Sequence, residues 1–161
     1  MLSRAAIAES HDVTASARRF AFPARYDKVS LYVFLIDRNL RVVPRREEVR
    51  VALAEGISNA ILHGVLGVPS LLRNAGDFEA FYEKVCERER AADQNRRIDV
   101  TMTTVEGGVE IVIADGGGGF AWARRELIPG RGLSLLHLGF DRVSWNASGN
   151  EIRLFVQHGE L

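Results

Sequence analysis

The sequence has little cysteine and no excess of charge of either sign. Cys86 is the single cysteine among 161 residues, which excludes an internal disulfide and a zinc site built from several cysteines. Lysine plus arginine and aspartate plus glutamate both number 21, so the formal net charge at pH 7 is zero. A nucleic-acid-binding domain normally carries a basic excess. We therefore expect no nucleic-acid partner, and the cysteine content fits a reducing compartment.

Long apolar runs are also absent. No stretch approaches the roughly 20 residues that a membrane-spanning helix needs, and the first residues lack the apolar core of a signal peptide. These absences predict a cytoplasmic protein without a membrane partner. The chain of 161 residues, 47% apolar and 26% charged, is long enough to bury its own core. Without internal repeats or a linker, we expect one domain over residues 1–161.

Helical patterns dominate the first half of the chain after one short strand. Residues 17–24 alternate weakly and predict a strand, and residues 26–40 have a helical stripe of apolar side chains. Pro44 stands where a second helix can begin, because the first helical position tolerates a missing N–H group. This helix is predicted to run to about His63, with Gly64 as its stop.

A helical insert is predicted between the second helix and the next strand. Residues 65–76 contain two glycines and a proline and are expected to form a loop. Asp77 is a good N-cap for a third helix. That helix has an apolar stripe at the spacing i, i+3, i+4, i+7, formed by Phe78, Phe81, Tyr82 and Val85. We expect the insert, about residues 65–96, to pack on the domain or in a homodimer.

Strand patterns follow in the second half. Residues 97–105 alternate with period two, a glycine turn follows, and residues 109–115 form a second strand. Residues 130–141 predict a helix that opens on glycines, and a final hairpin ends with residues 151–157. Helices therefore come early and strands late, mostly joined by hairpins. The order predicts an α+β fold, a two-layer sandwich of one mixed, mostly antiparallel sheet with helices on one face.

The stretch "EGISNAILHG", residues 55–64, places unusual side chains along one helix face. Glu55, Asn59 and His63 recur every four residues, a spacing that stacks side chains on the same side of a helix. A helix built only for packing has little use for such a row. Glu55 could instead be a solvated carboxylate, and His63 could pack or cap the helix end.

Two glycine-rich stretches suggest a ligand. Asp115 ends a strand and is followed by four glycines, a run with a large entropy cost on folding. Such glycines let backbone N–H groups approach a ligand, and the carboxylate can accept a hydrogen bond from an exocyclic amine. Gly130 and Gly132 open a helix, whose N-terminus suits phosphate. The sequence lacks GxxxxGK[ST] and a GxGxxG that opens a helix, which excludes a P-loop and a dinucleotide fold.

Together, "EGISNAILHG", "DGGGGF" and "GRGL" resemble the three ATP-binding boxes of the GHKL superfamily of ATPases and kinases, in that order. The resemblance extends over about residues 17–157 and implies the ATP-binding fold of that superfamily, the Bergerat fold. It is closest to the bacterial anti-sigma factor and serine kinase branch, because residues 141–143 read D-x-V and residues 149–154 read G-N-x-I-x-L.

The resemblance implies a role for the first box. Glu55 would be the general base and Asn59 the ligand of Mg²⁺, which bridges the nucleotide phosphates. Asp115 would accept from the adenine amine. The other nucleotide-binding positions implied by the resemblance are His63, Gly117, Gly119, Gly130, Arg131, Gly132 and Leu133. The implied cofactors are therefore ATP and Mg²⁺.

Two functions remain open at this point. The resemblance implies an ATP-dependent serine/threonine protein kinase in a partner-switching pathway, with an anti-sigma-factor antagonist as its substrate. The alternative is a nucleotide-gated binding module that sequesters a sigma factor or another regulator with little catalysis. Glu55 favours the kinase, because a pure binder needs no base. A histidine autokinase is disfavoured, because the sequence has no long dimerisation helix with a phosphoacceptor histidine.

Overall fold

The computed structural model describes residues 17–40, 43–93, 95–118 and 132–159. Within these residues, five strands form one sheet against which the helices pack. The strands are β1 (Ala17–Pro23), β2 (Arg97–Val105), β3 (Gly108–Ala114), β4 (Arg142–Trp145) and β5 (Glu151–Gln157). The helices are α1 (Val29–Asp37), α2 (Arg46–Asn59), α3 (Ser70–Asn74), α4 (Phe78–Ala91) and α5 (Gly132–Gly139). Among the described residues, no helix has the length and apolar character needed to cross a bilayer.

The strand order in the sheet is β1-β2-β3-β5-β4, and each of the four strand pairs is antiparallel. Strand β3 lies at the centre, with Ile113 opposite Val100 on one side and Ile152 on the other. The predicted α+β sandwich is confirmed. Over the described strands, its sheet is antiparallel throughout.

The alternating pattern of the strands explains which face of the sheet is buried. In β2, Ile98 and Val100 are fully buried, whereas Arg97 and Asp99, which alternate with them, are exposed. Successive side chains of a strand point to opposite faces, so the apolar set lies under the helices. Helix α2 lies against both the sheet and α5.

Gly56 lets α2 lie close to the sheet. A β-carbon at this position would lie 3.2 Å from Ile113 Cδ1 and 3.6 Å from Leu136 Cδ2. A glycine inside a helix costs about 1 kcal/mol relative to alanine. Here the position has too little room for a larger residue without movement of the sheet side chain, which accounts for glycine in the middle of α2.

The second helix does not stop at Gly64, contrary to the sequence-based expectation. After Asn59 it continues as a wider π-helical turn over Ala60–Val65. The backbone N–H of Leu66 donates to the carbonyl oxygen of Ile61 at 2.9 Å. The chain turns away at Gly67, whose φ of +62° favours glycine. Gly64 is needed for its small size within the helix rather than as a helix end.

The expectation of a loop over residues 65–76 is also wrong, because α3 forms within it. Pro69 and Gly76 flank this short helix rather than interrupt it. Proline directly before a helix is compatible with it, and Gly76, with φ +79°, reverses the chain after it. Helix α4 then begins as predicted, with Asp77 Oδ1 accepting from the N–H of Ala80 at 3.0 Å.

Helix α4 packs on the domain through half of its apolar stripe. Phe81 and Val85 are 3% and 1% exposed and belong to the core. Phe78 and Tyr82, on the same stripe, are 73% and 44% exposed. The Phe81 ring also meets Tyr26 edge-on, with 5.9 Å between the ring centroids. Helix α4 is therefore joined to the core of the domain mainly by the buried side chains of Phe81 and Val85.

Candidate functional site

The three motif segments meet around the second half of α2 and its π-helical continuation. Gly64 lies against the side chain of Asp115, where a β-carbon would collide with the carboxylate and would lie 2.7 Å from Asp115 Cβ. Gly117 lies against the carbonyl oxygen of Gly64. Gly132, at the start of α5, lies against Glu55, where a β-carbon would lie 3.0 Å from Glu55 Cδ. Three segments that are distant in sequence therefore come together along this helix.

Glu55 and Asn59 form a hydrogen-bonded pair on α2. The Asn59 amide nitrogen Nδ2 donates to Glu55 Oε1 at 3.0 Å, and Glu55 is only 9% exposed. Because a carboxylate accepts and does not donate, the amide must turn its NH₂ group toward Glu55. Its carbonyl oxygen Oδ1 then faces away from the carboxylate. Glu55 thus orients the oxygen that Asn59 can offer to a cation.

Arg73, a residue that the sequence did not single out as part of the site, closes this pair from α3. Its Nη2 donates to Glu55 Oε2 at 3.0 Å, and its Nη1 donates to Asn59 Oδ1 at 3.2 Å. A further contact of 3.4 Å joins Nη1 to Glu55 Oε1. No local pattern marks Arg73, because its position depends on how the insert docks on α2.

His63 does not continue the row of Glu55 and Asn59. Its ring nitrogen Nδ1 lies 2.6 Å from the carbonyl oxygen of Val68. A carbonyl oxygen only accepts, so Nδ1 is the donor. The wider helical turn begins directly after Asn59, so the α-helical spacing that pairs Glu55 with Asn59 ends there. In this structure His63 secures the chain where the helix ends.

A cavity of about 470 Å³ adjoins Asp115. This volume lies within the roughly 300–1,000 Å³ typical of small-molecule sites. Its lining comes from the end of the π-helical turn, the start of β2 and the glycine loop: Gly64, Val65, Asn95, Arg96, Arg97, Asp115, Gly116, Gly117 and Gly118. Burial raises the pKa of Asp115, while the hydrogen bond from the Gly117 N–H to Asp115 Oδ1, at 2.6 Å, lowers it. Burial has the larger effect.

Asn150 supports the glycine loop from the β4–β5 turn. Its side-chain Nδ2 donates to the carbonyl oxygen of Gly117 at 3.0 Å, and its own carbonyl oxygen accepts from the N–H of Asp115 at 3.1 Å. Asn146 in turn donates from Nδ2 to Asn150 Oδ1 at 2.7 Å. In the sequence, Asn150 was visible only as part of the stretch that resembles one branch of a family. Its place in the G-N-x-I-x-L stretch was nevertheless a usable signal.

Arg96 is a second residue that sequence reasoning missed. Its Nη1 donates to the carbonyl oxygen of Val65 at 2.7 Å, in the last turn of the helix. The last carbonyls of a helix lack partners within it, and a cation near them is favourable. Arg96 therefore fixes the helix end at the wall of the cavity.

Some of the expected site residues cannot be placed. Gly119, Gly130 and Arg131 lie outside the described residues. Gly132 begins α5 beside Glu55, and Leu133 is half-buried against the core.

The described residues fit an adenine nucleotide. At one end, Asp115 offers an acceptor beside a cavity whose glycines allow close approach of a ligand. At the other end, Asn59 offers a carbonyl oxygen beside the Glu55 carboxylate. Gly64 lies about one helical turn beyond Asn59, in the π-helical continuation of α2. The Asp115 cavity and the Glu55–Asn59 pair therefore both lie along this helix and its π-helical continuation.

Comparisons with known proteins support the same assignment. The chain matches no curated protein. Residues 21–156, most of the chain, match the family model of the histidine kinase-like ATPase domain. The chain therefore belongs to the histidine kinase-like ATPase domain family, whose members bind ATP.

Proposed function

We propose that the chain is a Mg²⁺- and ATP-dependent serine/threonine protein kinase of a cytoplasmic partner-switching pathway. Its substrate would be a serine on a small protein resembling an anti-sigma-factor antagonist. The observation that carries the proposal is the position of Glu55. Its carboxylate is 9% exposed, oriented beside Asn59, and in contact with Gly132 at the start of α5. A nucleotide-binding domain without catalysis does not need a carboxylate there.

Each residue then has a distinct task. Asp115 accepts from the adenine amine, and the N-terminal N–H groups of α5 suit the phosphates. Asn59 Oδ1 would hold Mg²⁺, a cation that prefers oxygen ligands and keeps several waters, so that one protein ligand is enough. The metal, when bound, would neutralise charge that develops on the phosphates. Glu55 would take the proton of the attacking hydroxyl, which leaves positioning as the main remaining requirement.

The substitution Glu55→Gln tests this proposal. Glutamine keeps the shape and can still accept from Asn59 Nδ2, but it cannot take a proton. We expect nucleotide affinity to survive while transfer of the γ-phosphate to antagonist proteins falls by about 10²–10⁴-fold. Asn59→Ala should impair both, because the phosphates lose their metal ligand. Equal transfer rates for the parent and Glu55→Gln would contradict the kinase mechanism.

One observation favours a second function, a nucleotide-gated module that sequesters a sigma factor or another regulator. Both oxygens of Glu55 accept from Arg73, so the carboxylate already has a cationic partner within the protein. A carboxylate in such an ion pair can serve to fix the helix rather than to accept a proton. In this case the parent and Glu55→Gln proteins would both bind ATP and a partner, and neither would transfer phosphate.

A further inference from the structure

Arg73 occupies the place where a cation would meet the first motif. Its guanidinium contacts Glu55 Oε2 at 3.0 Å and Asn59 Oδ1 at 3.2 Å, and it is the one residue of α3 with a side-chain hydrogen bond to either among the described contacts. The Glu55 side chain is 10% exposed and that of Arg73 is 32% exposed, so the pair is shielded from solvent on its acidic side. Charge-assisted hydrogen bonds in such settings are stronger than neutral ones.

The contact satisfies oxygens that would otherwise lack a partner. Without Arg73, the Glu55 carboxylate would be buried with one hydrogen bond from the described residues, that of Asn59 Nδ2. A buried carboxylate without compensation is costly. The guanidinium therefore supplies positive charge to this carboxylate and also holds Asn59 Oδ1.

We propose that Arg73 is a positioning residue that competes with the divalent cation for this pair. It holds Glu55 and Asn59 in their present arrangement, and a metal ion arriving at Asn59 Oδ1 displaces its guanidinium from both side chains. The reason is electrostatic, because two cations on adjacent oxygens repel each other in a poorly solvated place. The proposal rests on the proposed function in that it takes Asn59 as the metal ligand.

This competition couples α3 to the occupancy of the site. Helix α3 has five residues and carries Arg73 in its last turn. Helices this short have little stability of their own and depend on tertiary contacts. When the metal displaces the guanidinium, α3 loses its ion pair with α2 while α4 keeps its contacts through Phe81 and Val85. The insert then responds to the metal in its first part and remains docked in its second.

The first measurement uses Mn²⁺ alone, detected by electron paramagnetic resonance, on the parent chain and on Arg73→Gln. We expect Arg73→Gln to bind Mn²⁺ at least about fivefold more tightly, the lower end of typical coupling between two ligands. Arg73→Lys, which keeps the charge, should stay close to the parent. Arg50→Gln is the matched control. Arg50 lies on α2, the helix that carries Glu55 and Asn59, but it pairs with the exposed Glu47. Equal Mn²⁺ affinity in parent and Arg73→Gln, or no binding in either, would overturn the proposal.

The second measurement is calorimetry with an ATP analogue, with and without Mg²⁺. In Arg73→Gln the gain in affinity on adding Mg²⁺ should be larger than in the parent. A smaller gain would mean that Arg73 binds the phosphates instead, which overturns the competition. Absence of nucleotide binding in the parent would contradict the proposed function, and the Mn²⁺ result would still decide the role of Arg73.

Hydrogen exchange supplies a readout that a purely structural role would not move. In the parent, adding Mg²⁺ and nucleotide should speed amide exchange in residues 70–74 and leave α4 unchanged. In Arg73→Gln, exchange in residues 70–74 should already be fast without metal. Slower exchange on metal addition in the parent would contradict displacement of the guanidinium.

Discussion

The carboxylate of Asp115 lies directly against Gly64, at a point where the helix has no room for a β-carbon. The first and second motifs are thus in contact through a helical glycine and a strand-end aspartate. The glycine that closes "EGISNAILHG" is explained by this contact, because any larger residue would push the carboxylate away from the cavity that it lines.

Gly64→Ala should therefore disturb the Asp115 end of the site. The added methyl group would meet Asp115 Cβ at 2.7 Å, and a short side chain next to the backbone has little freedom to move. We expect a loss of about 1–3 kcal/mol in the free energy of unfolding, as for other overpacked positions, together with weaker ATP binding. Denaturant unfolding and calorimetry would measure the two effects. Gly118→Ala is the control for the loss of stability, because a β-carbon there meets nothing within 4 Å.

Asp115→Asn should change how stability depends on pH. Burial raises the pKa of Asp115 above its ordinary value of 3.8, so the folded protein holds the proton more tightly than the unfolded chain does. Stability from this group is then fully present below pH 3.8 and is lost as the pH rises through the raised folded pKa. Asparagine keeps an acceptor for the Gly117 N–H and has no such loss.

The melting temperature of Asp115→Asn, measured relative to that of the parent, should therefore increase from acid to neutral pH. Thermal unfolding at several pH values would measure it. The same variant should bind ATP more weakly, because the acceptor for the adenine amine is replaced by a mixed group. If the melting temperature of Asp115→Asn instead falls relative to that of the parent as the pH rises, burial does not dominate the pKa of Asp115.

Asn150→Ala should weaken nucleotide binding from outside the cavity. It removes the donor to the Gly117 carbonyl oxygen at 3.0 Å, which holds the glycine loop. A lost hydrogen bond of this kind costs about 1 kcal/mol. Asn39→Ala is a matched control, since Asn39 Nδ2 donates to the carbonyl oxygen of Leu35 at 2.8 Å, away from the site. We expect both variants to lose similar stability and only Asn150→Ala to lose ATP affinity. Equal ATP affinities in the two variants would count against a role of Asn150 in supporting the glycine loop.

The insert should behave as part of the core. Phe81 is 3% exposed, so Phe81→Ala should reduce the free energy of unfolding by about 3–5 kcal/mol. Phe78 is 73% exposed on the same helix, and Phe78→Ala should change it by no more than about 0.5 kcal/mol. Urea unfolding of both variants tests this. A similar small effect for both would mean that α4 is only loosely attached.

The sequence predicted those parts of the fold that depend on local periodicity. The alternation in residues 97–105 gave the bounds of β2, and the capping of α4 by Asp77 followed from residue type alone. The π-helical turn after Asn59 could not be predicted, because no local propensity marks it. It coincides with a tertiary contact between Gly64 and Asp115, which the local sequence does not reveal. Arg73 was missed for the same reason. Its role depends on docking across α2, and an arginine in a helix of five residues has no periodic signature.

Strand β1 pairs with a strand that lies far from it in sequence, β2, with Ala17 opposite Thr103 and Pro23 opposite Arg97. The β2–β3 and β4–β5 hairpins close over short turns instead. Closing a long loop costs more entropy than closing a short one, and such non-local pairs slow folding. During synthesis β1 therefore leaves the ribosome well before β2, and its pairing is complete only once residue 103 has emerged. Among the described strands, β1 is the one that waits longest for its partner strand, and its pairing edge is exposed to other chains for that time.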